Sequence, residues 1–108
     1  MNQLQLNAVL IERSALRYTP AGIPVIEMQL QHCSQALDAG LPRQLDFAFG
    51  AIAIGATAQQ LAGVDLGGEL ALSGFLAPRS RRSRRLLVHV QAFTRGGAAP
   101  AGPTNRVD

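Results

Sequence analysis

Five arginines occur within the seven residues 79–85, a segment that reads Arg-Ser-Arg-Arg-Ser-Arg-Arg. Like charges packed this closely repel one another, so the segment requires an anionic partner to offset the repulsion. Guanidinium groups form planar, bidentate pairs with phosphate and also stack on bases. A phosphate backbone is therefore the first candidate partner for these side chains, which are Arg79, Arg81, Arg82, Arg84 and Arg85.

The arginine segment connects two apolar stretches of strand-like composition, residues 70–76 and 86–93, which places it at the tip of a hairpin. One interpretation is a solvated tip that only improves solubility. Hairpin tips rarely carry so many like charges without a ligand, so we favour nucleic-acid binding. If all five arginines neutralised phosphates of a single strand, the slope of log affinity against log salt would gain about −3.5, at about −0.7 per contact.

Several residues outside the segment are further candidates for a nucleic-acid site. Tyr18 carries a ring that can stack on a base, although packing at the rim of the barrel explains it equally simply. Phe47 is a second candidate for stacking, but we favour burial in the core for this residue. Arg13, Arg17 and Arg43 can extend the basic surface. The sequence thus predicts a site made of cations with few aromatic contacts.

Other site chemistries find no support in the sequence. His32 and His89 stand without cysteines or carboxylates at ligand spacing, so we predict no metal site. No glycine-rich loop precedes a Lys-Ser/Thr pair, and no nucleophile, base and acid occur in a supporting context. We therefore predict a protein that is not an enzyme and that has no cofactor and no small-molecule substrate.

Length and composition indicate one globular domain. The chain has 108 residues, is 47% hydrophobic and carries a net charge of +3, with arginine supplying all ten basic residues. No apolar run approaches the ~18 residues of a membrane span, and the N-terminus has no basic signal-peptide region. The single cysteine, Cys33, falls in a strand pattern, which predicts a buried thiol and a reducing compartment. We predict a cytoplasmic protein without membrane contact.

Period-two patterns and turn residues predict the elements that position the candidate site. The polar residues 35–42 are predicted to form a loop, and Gly50 a bulge or bend within a strand. Residues 56–62, between two glycines, are the predicted helix. The predicted strands cover approximately residues 4–10, 26–33, 43–54, 70–76 and 86–93.

This order of three strands, one short helix and two strands predicts an all-β fold. It fits a five-stranded OB-fold Greek-key barrel with the helix between strands 3 and 4, and a plain open sheet is the alternative. The arginine segment would form the loop between strands 4 and 5, where OB-folds commonly bind oligonucleotides. The predicted domain covers residues 1–94, and the Gly-, Ala- and Pro-rich residues 95–108 are predicted to form a disordered tail.

Short motifs along residues 2–93 resemble a known family. The segment Arg-Tyr-Thr-Pro-Ala-Gly-Ile-Pro at 17–24, together with residues 30–32 and 74–76, resembles the single-stranded-DNA-binding protein (SSB) superfamily. Within that superfamily the chain is most similar to the PriB family. The residues that carry this closer similarity are Ala39-Gly40, Arg43-Gln44 and Val88-His89-Val90-Gln91.

The resemblance implies an OB-fold homodimer that binds single-stranded DNA during the restart of stalled replication forks. It also implies three protein partners, namely the PriA helicase, DnaT and SSB. Its basic loop aligns with the arginine segment, and Arg17 matches a basic position before the Pro-x-Gly turn.

One position departs from the family pattern. A tryptophan that stacks on DNA in some members falls near Asp46 in a chain that has no tryptophan. We therefore expect binding that depends on phosphate and salt, with little sequence preference. Two alternative functions are a protein-interaction adaptor for the restart helicase with weak DNA binding, and an RNA-binding OB module.

Overall fold

The structure is a computed structural model that describes residues 1–96. In these residues the apolar positions alternate along extended segments, as the period-two patterns predict, and one short helix interrupts them. The elements in chain order are β1 (Leu4–Arg13), β2 (Arg17–Tyr18), β3 (Pro24–Asp38), β4 (Leu41–Ile54), α1 (Ala56–Leu61), β5 (Glu69–Pro78) and β6 (Leu86–Arg95).

Five of the strands close into a barrel. β1 pairs antiparallel with both β3 and β5, β3 pairs with β4, and β5 pairs with β6. A short parallel ladder between β4 and β6, at Ala51–Val88 and Ile52–His89, completes the ring. The two-residue strand β2 only adds to the edge of β3. The prediction of a five-stranded OB barrel with a helix between its third and fourth strands is confirmed, and the open sheet is wrong.

The barrel interior is filled by the inward-facing aliphatic residues of the strands, and α1 closes one end with Ala58 and Leu61. Gly55 has a φ of 73°, which lets the chain turn sharply from β4 into the helix. Burying these side chains removes apolar surface from water, which is the main favourable contribution to folding. The largest fully buried residues are Leu10, Ile26, Leu30, Leu61 and Leu70.

A bulge in β5 determines how this strand meets β6. The pairing register of the two strands shifts between Ser73 and Gly74. A Cβ atom on Gly74 would overlap the backbone carbonyl of His89, so only glycine fits. Gly50, by contrast, stays in register opposite Gln29, and the bulge predicted there is absent.

The β3–β4 hairpin extends well beyond the barrel. Residues 35–42 are strand rather than the predicted loop, because β3 continues to Asp38 and β4 begins at Leu41. Ala39 and Gly40 form a two-residue turn with φ values of 55° and 78°, the geometry of a type I′ hairpin. Both faces of this extension meet solvent, so its polar residues hide the period-two pattern. We call residues 32–47 the arm.

The last described strand, β6, ends at Arg95, one residue beyond the predicted domain boundary. The rest of the predicted tail, residues 97–108, lies outside the described residues. Within residues 1–96, no helix is long and apolar enough to cross a membrane.

Candidate nucleic-acid interface

The loop that connects β5 to β6 is the arginine segment itself, and we call residues 79–85 the arginine loop. Its base is closed by a hydrogen bond from the Arg79 amide to the carbonyl of Arg85, at 2.9 Å. At its tip the Ser83 amide donates to the carbonyl of Ser80 (3.1 Å), and the Ser83 hydroxyl accepts from the Arg85 amide (3.0 Å). The two serines therefore shape the backbone, while all five arginines are exposed.

Two of the candidate arginines meet at one carboxylate on the outer face of the barrel. Arg17 reaches Glu27 with a distance of 3.0 Å between Nη2 and Oε2, and Arg79 reaches it with 3.5 Å between Nη2 and Oε1. Strand β2 holds Arg17 near this point because Arg17 pairs with Val25, two residues before Glu27. The structure thus brings the segment between β1 and β3 to the base of the arginine loop.

The other four arginines of the loop are available for an external anion. None of them forms an ion pair with a carboxylate in the part of the chain that the structure describes. Their side chains are exposed and project from a closed loop, so their charges add at one end of the barrel. These residues are Arg81, Arg82, Arg84 and Arg85.

Tyr18 follows Arg17 in the two-residue strand β2. It is 58% exposed in β2, next to Arg17 and opposite Pro24. The turn that follows is held by the Thr19 amide, which donates to the Ile23 carbonyl at 2.9 Å. An exposed tyrosine ring offers a place for one base to stack.

An open cleft of about 180 Å³ lies below the arginine loop, with Glu12, Arg13, Glu27 and Arg79 among its lining residues. Arg13 does not extend the basic surface, because its Nη1 donates to the carbonyls of Leu61 (3.3 Å) and Val64. These hydrogen bonds connect Arg13 of β1 to the end of α1 and to the residues that follow it.

Among residues 1–96 no group of three or more metal-ligating side chains comes together.

Phe47 is separated from the arginine loop. It lies on the arm opposite His32, five residues along β3 from Glu27, which is about 17 Å of strand. Its ring is 43% exposed and lies 5.1 Å from His32 and 5.9 Å from Phe49, centroid to centroid. Since β-strand side chains alternate, Phe47 faces the opposite side of β4 from Asp46.

Arg43 is even farther from the loop, and it is neutralised. Its Nη1 lies 2.9 Å from Oδ2 of Asp38, across the turn of the arm. Arg43 pairs with Ala36, nine residues along β3 from Glu27, or about 30 Å. Arg43 therefore contributes no net charge to the surface around the arginine loop.

The outer face of the arm carries an anion among uncharged groups. Asp46 accepts a hydrogen bond from Nε2 of Gln31.

Cys33, directly opposite Asp46, is exposed, which contradicts the predicted burial. The reason is that side chains alternate along β3: His32 faces the buried side, so Cys33 faces outward, on the side of Gln31. Nε2 of Gln44 is 3.3 Å from the Cys33 sulfur.

Glu27 is the residue that the sequence analysis missed. Its outward position in β3 follows from the period-two pattern, but an exposed glutamate in a strand is unremarkable by itself. Its partner Arg79 is distant in sequence and comes near only because the barrel closes. Local patterns carry no signal of such a contact.

Comparison with known proteins agrees with this geometry. A family described as "another single-strand binding protein family" matches residues 2–92. The chain is 41% identical over 95 residues to Replication restart protein PriB of Bordetella pertussis strain Tohama I, covering 88% of this chain and 89% of the relative. The protein of the same name from Nitrosomonas europaea is 37% identical over 90 residues, or 83% of each chain.

Solved structures give the same result. PriB from Ralstonia solanacearum superimposes with a TM-score of 0.80 at 37% identity, covering 88% of this chain and 97% of that one. The single-stranded DNA binding protein from Thermus aquaticus superimposes with a TM-score of 0.68, covering 91% of this chain and 51% of that one. At 19% identity, the second comparison supports the fold alone. The chain belongs to the PriB family of replication restart proteins, within a wider family of single-strand binding proteins.

Proposed function

We propose that this protein is a non-enzymatic, single-stranded-DNA-binding component of replication restart, acting in the cytoplasm. The observation that carries the proposal is the set of four exposed arginines without a carboxylate partner in the described chain, on the loop that OB-folds commonly use for oligonucleotides. The names of the PriB relatives and the single-strand binding family support the same role.

The arginine loop would bind the DNA backbone. Guanidinium groups form charge-assisted, bidentate hydrogen bonds with phosphate oxygens, and these contacts do not depend on base identity. Tyr18 would add one stacked base, while Arg17 and Arg79 border the same path. Binding should therefore show little sequence preference and a strong dependence on salt.

Arg43 and Phe47 belong to a more distant part of the proposed interface. They lie about 30 Å and about 17 Å along the strand from Glu27, so a short oligonucleotide held by the loop does not reach both. We propose that a longer strand continues over the arm and meets them there. The contribution of Phe47 should then depend on oligonucleotide length, while that of Arg43 is limited by its ion pair with Asp38.

The decisive experiment is an oligo-dT titration by fluorescence anisotropy at several salt concentrations. Replacing Arg81, Arg82, Arg84 and Arg85 by Ala should weaken binding at low salt by about tenfold or more, and should make the log–log salt slope shallower by about 2.8. Because the four side chains are exposed, the thermal unfolding midpoint should stay the same. Unchanged affinity would refute the proposal.

The same titration distinguishes DNA from RNA. Phosphate contacts do not separate the two polymers, since the 2′-hydroxyl is the group that does. Competition of oligo-dT with oligo-U therefore tests the RNA-binding alternative, which would be favoured by tighter binding of oligo-U.

We further propose a homodimer. Residues Leu4–Ala8 of β1 pair with β5 on one side, but the ladder from β1 to β3 begins only at Val9. The other edge of this half-strand therefore has no strand partner within residues 1–96, and such an edge readily pairs with a strand of a second copy. Static light scattering at micromolar concentration should give twice the monomer mass, and a monomer would contradict the proposal.

A second candidate function is an adaptor that binds proteins, and Asp46 favours it. This exposed anion lies among amide side chains on the arm, where it repels phosphate. We propose the PriA helicase, DnaT and SSB as protein partners. A pull-down with the four-arginine variant separates the functions: loss of helicase binding with intact DNA affinity would favour the adaptor, and the reverse result would favour DNA binding.

A further inference from the structure

We propose that Glu27 is an internal substitute for a DNA phosphate: in the DNA-free protein it holds Arg17 and Arg79, and it competes with DNA for both. This inference rests on the proposed function, because the competing ligand is the backbone of single-stranded DNA. It assigns to Glu27 the role of setting how many arginines are available for binding.

The geometry of the three side chains carries the inference. Each carboxylate oxygen of Glu27 takes one guanidinium, Oε2 from Arg17 at 3.0 Å and Oε1 from Arg79 at 3.5 Å. A phosphate presents its oxygens to two arginines in the same manner. Glu27 thus occupies the kind of position that a phosphate would take between the base of the arginine loop and β2.

The carboxylate is positioned by a fixed backbone. The Glu27 amide donates to the hydroxyl of Ser14 at 3.0 Å, and the Glu27 carbonyl accepts from the Ser14 amide at 2.8 Å. The two arginines, by contrast, reach Glu27 through long side chains. DNA can therefore take the arginines from Glu27 without displacing β3.

The ion pairs are weak enough to be displaced. The side chains of Arg17 and Arg79 are 55% exposed and that of Glu27 is 32% exposed. Exposed pairs of this kind contribute about 0–1 kcal/mol each and are screened by salt. A DNA strand whose other phosphates are already bound by the loop can therefore replace this single carboxylate as the partner of the two arginines.

The test is the substitution Glu27→Gln, which keeps the shape and the backbone hydrogen bonds but removes the charge. In the oligo-dT titration at low salt we expect binding about threefold to tenfold tighter than in the unsubstituted protein. The salt slope should become steeper by at most about −0.7 for each arginine that Glu27 keeps from the DNA, or about −1.4 for both. Unchanged or weaker binding would overturn the inference.

A matched control is Glu12→Gln. Glu12 lines the same cleft but forms no ion pair within the described residues, so its replacement removes an equal charge without releasing an arginine. We expect the affinity to change by less than about twofold. If this variant tightened binding as much as Glu27→Gln, general charge would explain the effect and the role of Glu27 would be refuted.

A measurement without DNA separates this inference from the proposed function. In NMR spectra of the DNA-free protein, the guanidinium protons of Arg17 and Arg79 should exchange with water faster in Glu27→Gln, while those of Arg84 should be unchanged. If the unsubstituted protein did not bind oligo-dT, the proposed function would fail. Equal exchange rates in the two proteins would show that Glu27 does not hold the two arginines, whatever the result of the oligo-dT titration.

Discussion

The arginine loop and the arm lie at opposite ends of the β3–β4 ladder, and they differ in how their charges are compensated. Four loop arginines have no carboxylate partner in the described chain, whereas Arg43 on the arm is paired with Asp38. The arm adds an anion, Asp46, and a half-exposed ring, Phe47. The comparison teaches that uncompensated cations, rather than cations as such, indicate where phosphate should bind.

The two regions also differ in what supports them. The arginine loop begins and ends on β5 and β6, which are part of the closed barrel and join through the bulge at Gly74. The arm is a two-stranded ladder beyond the barrel, with solvent on both faces from Cys33 to its tip. The position of the loop should therefore depend on core geometry, while the arm should tolerate change.

The largest effect that tests this difference is expected from Gly74→Ala. The added Cβ would overlap the His89 carbonyl, so β5 and β6, the two strands that carry the arginine loop, would have to separate at this bulge. We expect a loss of about 3 kcal/mol or more in the free energy of unfolding, measured by chemical denaturation. Gly50→Ala, in the barrel part of β4, is the control, because its Cβ would meet only Nε2 of Gln29, at 3.4 Å. Equal losses of unfolding free energy in the two variants would show that the two positions do not differ in their tolerance of a Cβ atom.

The next effect compares the aromatic rings of the two regions. Tyr18→Leu should weaken binding of an oligo-dT of about 4 nucleotides by about 1 kcal/mol, since one stacked base is lost. Phe47→Leu should leave that affinity unchanged and weaken only the binding of an oligo-dT of about 30 nucleotides, which can reach the arm. Anisotropy titrations with both lengths give the result. A loss for Phe47→Leu with the short oligonucleotide would place the DNA on the arm first.

The fold was predictable from the sequence because the barrel strands have one face in the core. Alternation at Leu6, Ala8 and Leu10, for example, reports directly on that face. The arm was not predictable in the same way, because both of its faces are exposed to solvent and both carry polar residues. Cys33 was assigned to the interior from the burial tendency of free cysteine, although alternation along β3 puts it on the outward face with Gln31.

The site was predictable where it consists of adjacent residues. The arginine loop is a local feature of the sequence, and its position between two strands follows from the flanking segments. The pairing of Arg43 with Asp38 would have followed if the turn at Ala39 and Gly40 had been recognised, since a two-residue turn brings them onto one face. The role of Glu27 depends on barrel closure, which no local pattern reports.

The smallest expected effect concerns Arg43, and it tests whether compensation decides the role of a cation. Because Asp38 already neutralises Arg43, Arg43→Ala should change affinity for oligo-dT by less than about twofold and leave the salt slope unaltered. Asp38→Asn should have the opposite outcome with a long oligonucleotide: Arg43 becomes available, and the slope steepens by about −0.7. A clear loss for Arg43→Ala would show that a paired arginine still binds phosphate. In that event the charge of Arg43, as well as the ring of Phe47, would hold DNA on the arm.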